Sequence, residues 1–242
     1  MFNPCIIIPV FKHAAHLKSF IQKLPDLPII IIDDGNPEPD AQILSQIADS
    51  HNAALLKLKT NQGKNRAVLT GMQEALKQGY THALQIDADG QHNAADITKF
   101  LDLAKQNPNA LINGSPLYDN DAPKSRTIGR KITNFWIMIE TWSFDIKDAM
   151  CGFRVYPLHD IHPIIKKGLI FNRMGGDIEI IVKSHWQGIR IINIKTKVIY
   201  PQDGLSNFKL LKDNIKISLL HTTLFFGMLK HQLKRLFKCK KN

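Results

Sequence analysis

Four short apolar runs recur at a near-constant interval: Cys5–Val10, Ile29–Ile32, Ala54–Leu58 and Ala83–Ile86. Each is largely apolar instead of alternating, broken only by Lys57 and Gln85, the pattern of a strand buried on both faces. The segments between them have helical periodicity. In 63–79, Ala67, Val68, Gly71, Ala75 and Leu76 fall on one face, and Gly79 stops the helix. Buried strands alternating with helices predict βαβ units over residues 1–115, in a mostly parallel sheet with helices on both faces. At 242 residues, 44% hydrophobic and 22% charged, the chain is long and apolar enough to bury such a core, and disorder is not its main theme.

Beyond Gly114 the rhythm changes. Residues 115–130 read as a polar loop with Pro116, Pro123, Lys124, Arg126 and Arg130. A helix rich in Ile, Phe and Trp follows over about 129–143, then DAMCGFRVYP (148–157), a glycine pair at 175–176, a helix over 177–187 and a strand pattern over 190–201. Residues 208–238 read as one long helix. The expected division is an α/β domain over 1–204 and a basic amphipathic helix and tail over 205–242.

The charge is uneven. Of a net +11, the stretch from Lys209 onward holds nine Lys/Arg against Asp213 alone. A basic arm of this kind suits nucleic acid, an anionic lipid surface, or plain solvation. Its interleaved Leu, Phe and Met favour an interfacial helix, and a helix folded back on the domain is the other reading. No run of about 20 apolar residues is present, so no ordinary membrane span is expected. MFNPCIIIPVFKH lacks the basic lead and long apolar core of a signal peptide. The three cysteines, Cys5, Cys151 and Cys239, lie far apart without a CxxC, which argues against a disulfide framework or structural zinc and for a reducing cytosol.

The chemistry is concentrated where strands end. Asp33-Asp34-Gly35 closes the second run and Asp87-Ala88-Asp89-Gly90 the fourth. In parallel strands these ends share one edge, the edge where open α/β sheets bind ligands. In extended chain Asp87, Asp89 and Gln91 face the same side. Two carboxylates and an amide oxygen suit a hard divalent cation, Mg²⁺ or Mn²⁺, which would also relieve their mutual repulsion. A solvated acidic turn is the plainer alternative.

The order of motifs resembles family 2 glycosyltransferases of the GT-A fold. IIIPVFKH (6–13), IIIIDDGN (29–36), NQGKNRAV (61–68), IDADGQH (86–92), DAMCGFRVYP (148–157) and RMGGDIEI (173–180) follow the family's sequence of elements over about residues 4–201. DAMCGFRVYP is similar to a segment of polyprenyl-phosphate sugar synthases. VIYPQDGLSNF and HTTLFFGML resemble small bacterial members that accompany, or are fused to, lipid-type acyltransferases. The resemblance implies an inverting, metal-dependent glycosyltransferase with a Rossmann-like GT-A domain. Its donor would be a nucleotide-diphosphate sugar and its acceptor lipid-linked or membrane-associated. An acyltransferase is the implied partner, and the implied location is the cytoplasmic face of the inner membrane, held peripherally.

The same resemblance assigns roles. Pro9, Phe11 and His13 match residues that meet the nucleotide, with Phe11 in place of Tyr and His13 in place of Glu. Asp34 matches the carboxylate that binds the base, with Asp33 beside it. Lys64 faces the nucleotide, and Asp87, Ala88 and Asp89 carry the DxD element. Asp87, Asp89 and Gln91 match the metal set. Polyprenyl-phosphate enzymes hold the diphosphate with an Arg and a Lys; the matching YPQDGLSNFK has no Arg and its Lys209 lies later, so Lys64, Arg126 and Arg130 are the replacements to expect. Asp177 is the first candidate for the base that takes a proton from an acceptor hydroxyl. Glu179 and Asp148 follow it, and N-capping is the structural alternative for Asp177. Gly175 and Gly176 would let backbone approach a sugar. Arg154 has pairing with Asp148 as its structural reading, and Phe135, Trp136 and Trp142 have core packing as theirs. Cys151 reads as a buried small residue, and His82 and His92 as surface or metal-supporting residues.

Two other classes compete. A sugar nucleotidyltransferase would carry a glycine-rich basic loop after its first strand, where PVFKHAAH has no glycine. A non-enzymatic nucleic-acid binder would explain the charge, but no RRM, KH or zinc signature accompanies it, and no nucleic-acid partner is expected.

Overall fold

The computed structural model describes residues 1–117, 124–171, 173, 175–198 and 210–239, without the side chains of 124–126, 210–212, 235–236 and 238–239. Seven strands form one sheet: β1 (Pro4–Val10), β2 (Ile29–Asp33), β3 (Ala54–Lys57), β4 (His82–Gln85), β5 (Leu111–Leu117), β6 (Arg154–Pro157) and β7 (Ile191–Lys197). The order across it is β3-β2-β1-β4-β6-β5-β7. All pairings are parallel except those of β6, which runs antiparallel to both β4 and β5. The expected mostly parallel sheet is thus observed, and the short β6 is its one reversed strand.

Successive residues of β1 serve opposite faces, as a strand requires. Cys5 and Ile7 join a core with α3 (Lys64–Lys77), α6 (Leu158–Lys167), α7 (Gly176–Trp186) and α8 (Leu210–Cys239). Ile6, Ile8 and Val10 join a second core with α1 (Ala14–Phe20), α2 (Asp40–Ser50) and α4 (Ile97–Gln106). Burial on both faces is why these strands carry no polar alternation.

The middle of the chain differs from its reading. β5 continues to Leu117, into the expected polar loop, because its whole length pairs with β7. α5 (Lys124–Thr141) begins earlier than residue 129. Phe135, Trp136 and Trp142 are 55%, 38% and 74% exposed, so the core-packing reading of these rings is overturned. α5 buries Thr133, Ile137, Glu140 and Thr141 instead, one face at helical spacing.

The long C-terminal helix is present, and one face of it is folded back. Leu220, Leu224 and Met228 are buried, and Gly227 lies against the Trp186 ring where a Cβ would come within 2.8 Å. His221 Nδ1 lies 2.8 Å from Glu140 Oε1 of α5, and both residues are buried. The expected boundary at residues 204–205 falls outside the described residues. No described helix is long and apolar enough to cross a membrane.

Candidate active site

β2 and β4 both pair parallel with β1, so Asp33-Asp34 and Asp87–Asp89 leave the sheet at one edge. The two acidic ends do different work there. Asp33 accepts from the backbone N–H and side-chain amide of Asn36 at 2.8 and 2.7 Å. Asn36 in turn donates to Val10 O at 2.9 Å and accepts from Lys12 N at 2.7 Å, which fixes the turn carrying Phe11 and His13. Asp34 accepts from Asn61 Nδ2, Gln62 N and Gly63 N at 3.0, 2.7 and 2.9 Å. Its burial raises its pKa, against those two N–H groups that stabilise the anion. The loop it holds leads into α3 and so aims Lys64.

Asp87, Asp89 and Gln91 line one hollow of about 70 Å³ with His92, Arg130 and Gly152. The chain is not extended there. It turns at 88–90 with Gly90 at φ +69°, and Asp89 Oδ1 accepts from Gln91 N at 3.0 Å. The common orientation of the three residues therefore comes from a turn and not from a strand's pleat. Ala88 is buried beneath them. Asp87 Oδ1 is buried without a hydrogen-bond partner. Among the described residues no three His, Cys, Asp or Glu side chains group as a metal set. The donors present are two carboxylates and an amide oxygen, which fits a hard cation that leaves positions for water and diphosphate. His92, its ring tilted against Phe153 at 5.2 Å, has its pKa lowered by burial, against the pull of Asp87 and Asp89. His82 sits at the far end of β4, its ring held by Thr81 and Pro108 O at 2.9 Å, and takes no part in the site.

Lys64 joins the site together. Its Nζ lies 2.8 Å from Asp87 Oδ2 and 3.2 Å from Asp177 Oδ2. Burial would lower its pKa, but Asp177 and Asp87 outweigh this and hold it above the usual lysine range. For Asp87, burial would raise the pKa, and Lys64, His92 and His13 reverse it to a net lowering. The pKa of Asp89, half-buried, is raised by desolvation and by the charge of Asp87. Asp177 also accepts from Gln85 Nε2 at 3.3 Å, and Gln85 Oε1 accepts from Tyr156 OH at 3.2 Å. The backbone carbonyl of Asp177 receives Arg154 Nη1 at 2.6 Å, and Arg154 Nη2 donates to Ala149 O at 2.7 Å. Arg154 therefore does not pair with Asp148; it is fully buried and pins α7 to the β6 segment.

The other candidates fall into place around this pair. Arg130 Nη1 reaches Asp148 Oδ2 at 2.6 Å, and Asp148 Oδ1 accepts from Met150 N and Cys151 N at 2.8 Å each. Asp148 thus shapes the loop that presents Gly152. Glu179 is buried, accepts from Ile170 N and Phe171 N at 2.9–3.1 Å and pairs with Lys183, an arrangement that holds the loop before α7. Asp177 makes no side-chain N-cap; Gly175, at φ +110°, is the cap residue. The glycine pair receives protein: a Cβ on Gly175 would sit 2.8 Å from Leu220, and one on Gly176 would collide with Asn65. Pro9 is buried in β1, and His13, lowered by burial, lies close enough to Asp87 to feel its charge. Cys151 is 2% exposed with its thiol pushed up to about 12 by burial, so it stays protonated. The Arg126 side chain lies outside the described residues, as does YPQDGLSNFK.

Reading the sequence missed Gln85, Gly152, Asn36 and Tyr156. Gln85 gave one signal, a polar side chain ending an otherwise apolar strand. Gly152 gave none: a Cβ there would collide with Lys64 Nζ and lie 2.8 Å from Asp87 Oδ2, a closeness set only by the fold.

Comparison with known proteins agrees with this geometry. The chain is 31% identical over 177 residues to a dolichyl-phosphate beta-glucosyltransferase of Dictyostelium discoideum, covering 69% of this chain and 53% of that one. It thus spans about half the length of that relative. It is 22% identical to the polyprenol monophosphomannose synthase of Mycolicibacterium smegmatis, covering 69% of this chain and 68% of that one. In fold it is similar to glucosyl-3-phosphoglycerate synthase from Mycobacterium tuberculosis, solved with Mn²⁺, UDP and glucosyl-3-phosphoglycerate. That match has a TM-score of 0.64 at 11% identity and covers 94% of this chain and 80% of that one. S. aureus TarS 1-349 with UDP-GlcNAc superposes with a TM-score of 0.62 at 11% identity, covering 92% and 66%. The Glycosyl transferase family 2 model matches residues 5–162. This decides among the three classes considered: the chain belongs to glycosyl transferase family 2, with a GT-A fold.

Proposed function

We propose that the chain moves a sugar, with inversion, from a nucleotide-diphosphate donor to a polyprenyl-phosphate or related lipid-linked acceptor, with Mg²⁺ or Mn²⁺ as cofactor. The observation that carries this is Lys64 bridging Asp87 and Asp177, which sets the donor-side and acceptor-side carboxylates within one ammonium group of each other. Asp87, Asp89 and Gln91 would hold the cation. When bound, it supplies Lewis-acid stabilisation to the departing diphosphate. The remaining work belongs to side chains. Asp34 and Asn36 fix the loops that would receive the nucleotide. Gly152 keeps space beside Asp87, and Arg130 adds positive charge at the wall of the hollow.

The role of Asp177 depends on the acceptor. A phosphate monoester, with a second pKa of about 6, arrives ionised and needs no base. Asp177 would then act by fixing Lys64 between the two carboxylates. With a hydroxyl acceptor it would take the proton, worth about 10²–10⁴-fold. The relatives named for dolichyl-phosphate and polyprenol products support the first reading. The lipid acceptor and the basic C-terminal helix support peripheral attachment to an anionic membrane, at the cytoplasmic face of the inner membrane, with an acyltransferase as neighbour.

Transfer assays test the proposal. Asp89→Ala should abolish turnover that depends on added Mg²⁺ or Mn²⁺; undiminished turnover would remove the cation from the reading. Asp177→Asn should lower kcat by less than about tenfold with a phosphate acceptor, and by about 10²–10⁴-fold if it serves as base.

A further inference from the structure

α8 is apolar on two opposite faces, and only one is used by the fold. The inner face packs through Leu220, Leu224 and Met228. On the outer side Ile215, Leu219, Phe226, Leu229, Leu233 and Phe237 are 42–68% exposed. At 3.6 residues per turn these six fall within about 40° of one line, directly opposite the buried set. A helix folded back merely to complete the domain has no need of this second stripe.

α5 repeats the pattern. Its inner face buries Thr133, Ile137 and Glu140, while Ile128, Ile132 and Phe135 are 55–57% exposed on the side away from them. Just past its end, Trp142 and Phe144 are each 74% exposed. Trp142 is held at φ +52°, in the left-handed region that a bulky residue rarely adopts. The two helices are neighbours: Glu140 meets His221, and the half-exposed Trp136 ring stacks near His221 at 6.2 Å. Unpartnered apolar stripes on two adjoining helices mark an interaction surface.

Charge identifies the occupant. α5 carries Lys124, Arg126, Arg130 and Lys131; α8 carries Lys212, Lys216, Lys230, Lys234, Arg235 and Lys238. The only acids of the two helices, Glu140 and Asp213, are both buried. The two helices thus expose cations and no acid beside their apolar stripes, and the one exposed acid next to Phe144, Asp145, faces His185 at 3.5 Å; such a surface is complementary to an anionic bilayer. Against a second copy of itself the same surface would set like charges together.

We infer that α5 and α8 form one bilayer-docking face, entered to interfacial depth by residues of both helices. This deepens the proposed membrane attachment, which the sequence placed in the tail alone, and rests on that reading. Because Arg130 of α5 also lines the hollow beside Asp87, docking sets the candidate site close to the lipid headgroups.

The test uses the full chain with phosphatidylcholine vesicles, with and without phosphatidylglycerol. Binding is expected only with phosphatidylglycerol and should weaken as salt rises. Brominated lipid should quench the Trp142 emission, and Trp142→Phe should remove most of that quenching. Ile132→Ser with Phe135→Ser, and separately Leu233→Ser with Phe237→Ser, should each weaken vesicle binding at least tenfold. All four positions are exposed, so thermal melts should match the wild type. Both double variants should keep turnover on a short-chain, detergent-dispersed polyprenyl phosphate, so that failure of docking is distinct from failure of the proposed reaction. Loss with the α8 pair but not with the α5 pair would overturn the shared face in favour of a tail anchor. Absence of vesicle binding, with a dimer that the α5 pair dissociates, would overturn it in favour of an interface between copies.

Discussion

The site depends on one lysine and one missing side chain. Lys64 takes the place beside Asp87 that positive charge must fill, and Gly152 leaves room for it to do so. Gly152→Ala would press on Lys64 Nζ and the Asp87 carboxylate, the free ends of side chains that can give way. Stability should change by less than about 1 kcal/mol, while transfer falls more than tenfold as the pair separates. Gly35→Ala is the contrasting case. There φ is +69° and a Cβ would lie 2.5 Å from Asn61 N, against backbone that cannot move aside. That variant should lose about 1–3 kcal/mol or more in urea denaturation, because strain adds to the clash. Lys64→Met supplies a third residue-scale expectation. With the resident ammonium gone from beside Asp87, the set Asp87, Asp89 and Gln91 should bind Mn²⁺ without nucleotide roughly tenfold more tightly, about 1.4 kcal/mol, by calorimetric titration. Unchanged affinity would show that Lys64 does not compete for the cation's place.

At the scale of elements, what was legible follows from what repeats. β1, β2, β4 and α3 could be read because burial on both faces imposes largely apolar runs and because Gly79 punctuates the helix, whereas β3, a half-buried edge strand ending at Lys57, was legible through its place in the repeat. β6 could not be assigned its direction: nothing in RVYP distinguishes a reversed strand from a parallel one. The DxD turn was found for a partly mistaken reason, since Gly90 turns the chain where extension was assumed. The link from Lys64 to Asp177 spans 113 residues of sequence and is created only when α3 and α7 start side by side at Asn65 and Gly176. Phe135 and Trp142 were misassigned because an apolar stripe looks the same whether protein or another medium covers it. The join of α5 to α8 has its own signature. Burial raises the pKa of Glu140, against His221 which lowers it. The unfolded chain then releases this proton at lower pH than the folded protein, so stability falls as pH rises from the ordinary glutamate value, about 4.3, toward the raised one. Glu140→Gln should flatten that slope, so the variant gains relative to wild type across the window in urea melts at stepped pH. A parallel pair of curves would mean that Glu140 ionises in the fold as it does in the unfolded chain.

For the molecule as a whole, α8 belongs to the catalytic domain's structure as much as to any surface it contacts. It closes the face of the sheet that carries α7, with Leu220 against Gly175, two residues from Asp177. Leu220, Leu224 and Met228 are 0–3% exposed. Burying each is worth about 1.5–3 kcal/mol, so the three together contribute on the order of 5–9 kcal/mol. The whole stability of a domain is about 5–15 kcal/mol. Removing residues 210–242 would therefore uncover Trp186 and Glu140, release Gly175, and leave too little to hold the fold. The truncated chain should melt far below the full one, or precipitate, and should lose donor binding along with any lipid binding. A soluble truncate with the full-length melting temperature and intact donor affinity would mean that α8 is an appendage and that the inner face it covers is stable in water. The full-length surface variants, which leave this inner packing untouched, are for that reason the cleaner way to separate attachment from folding.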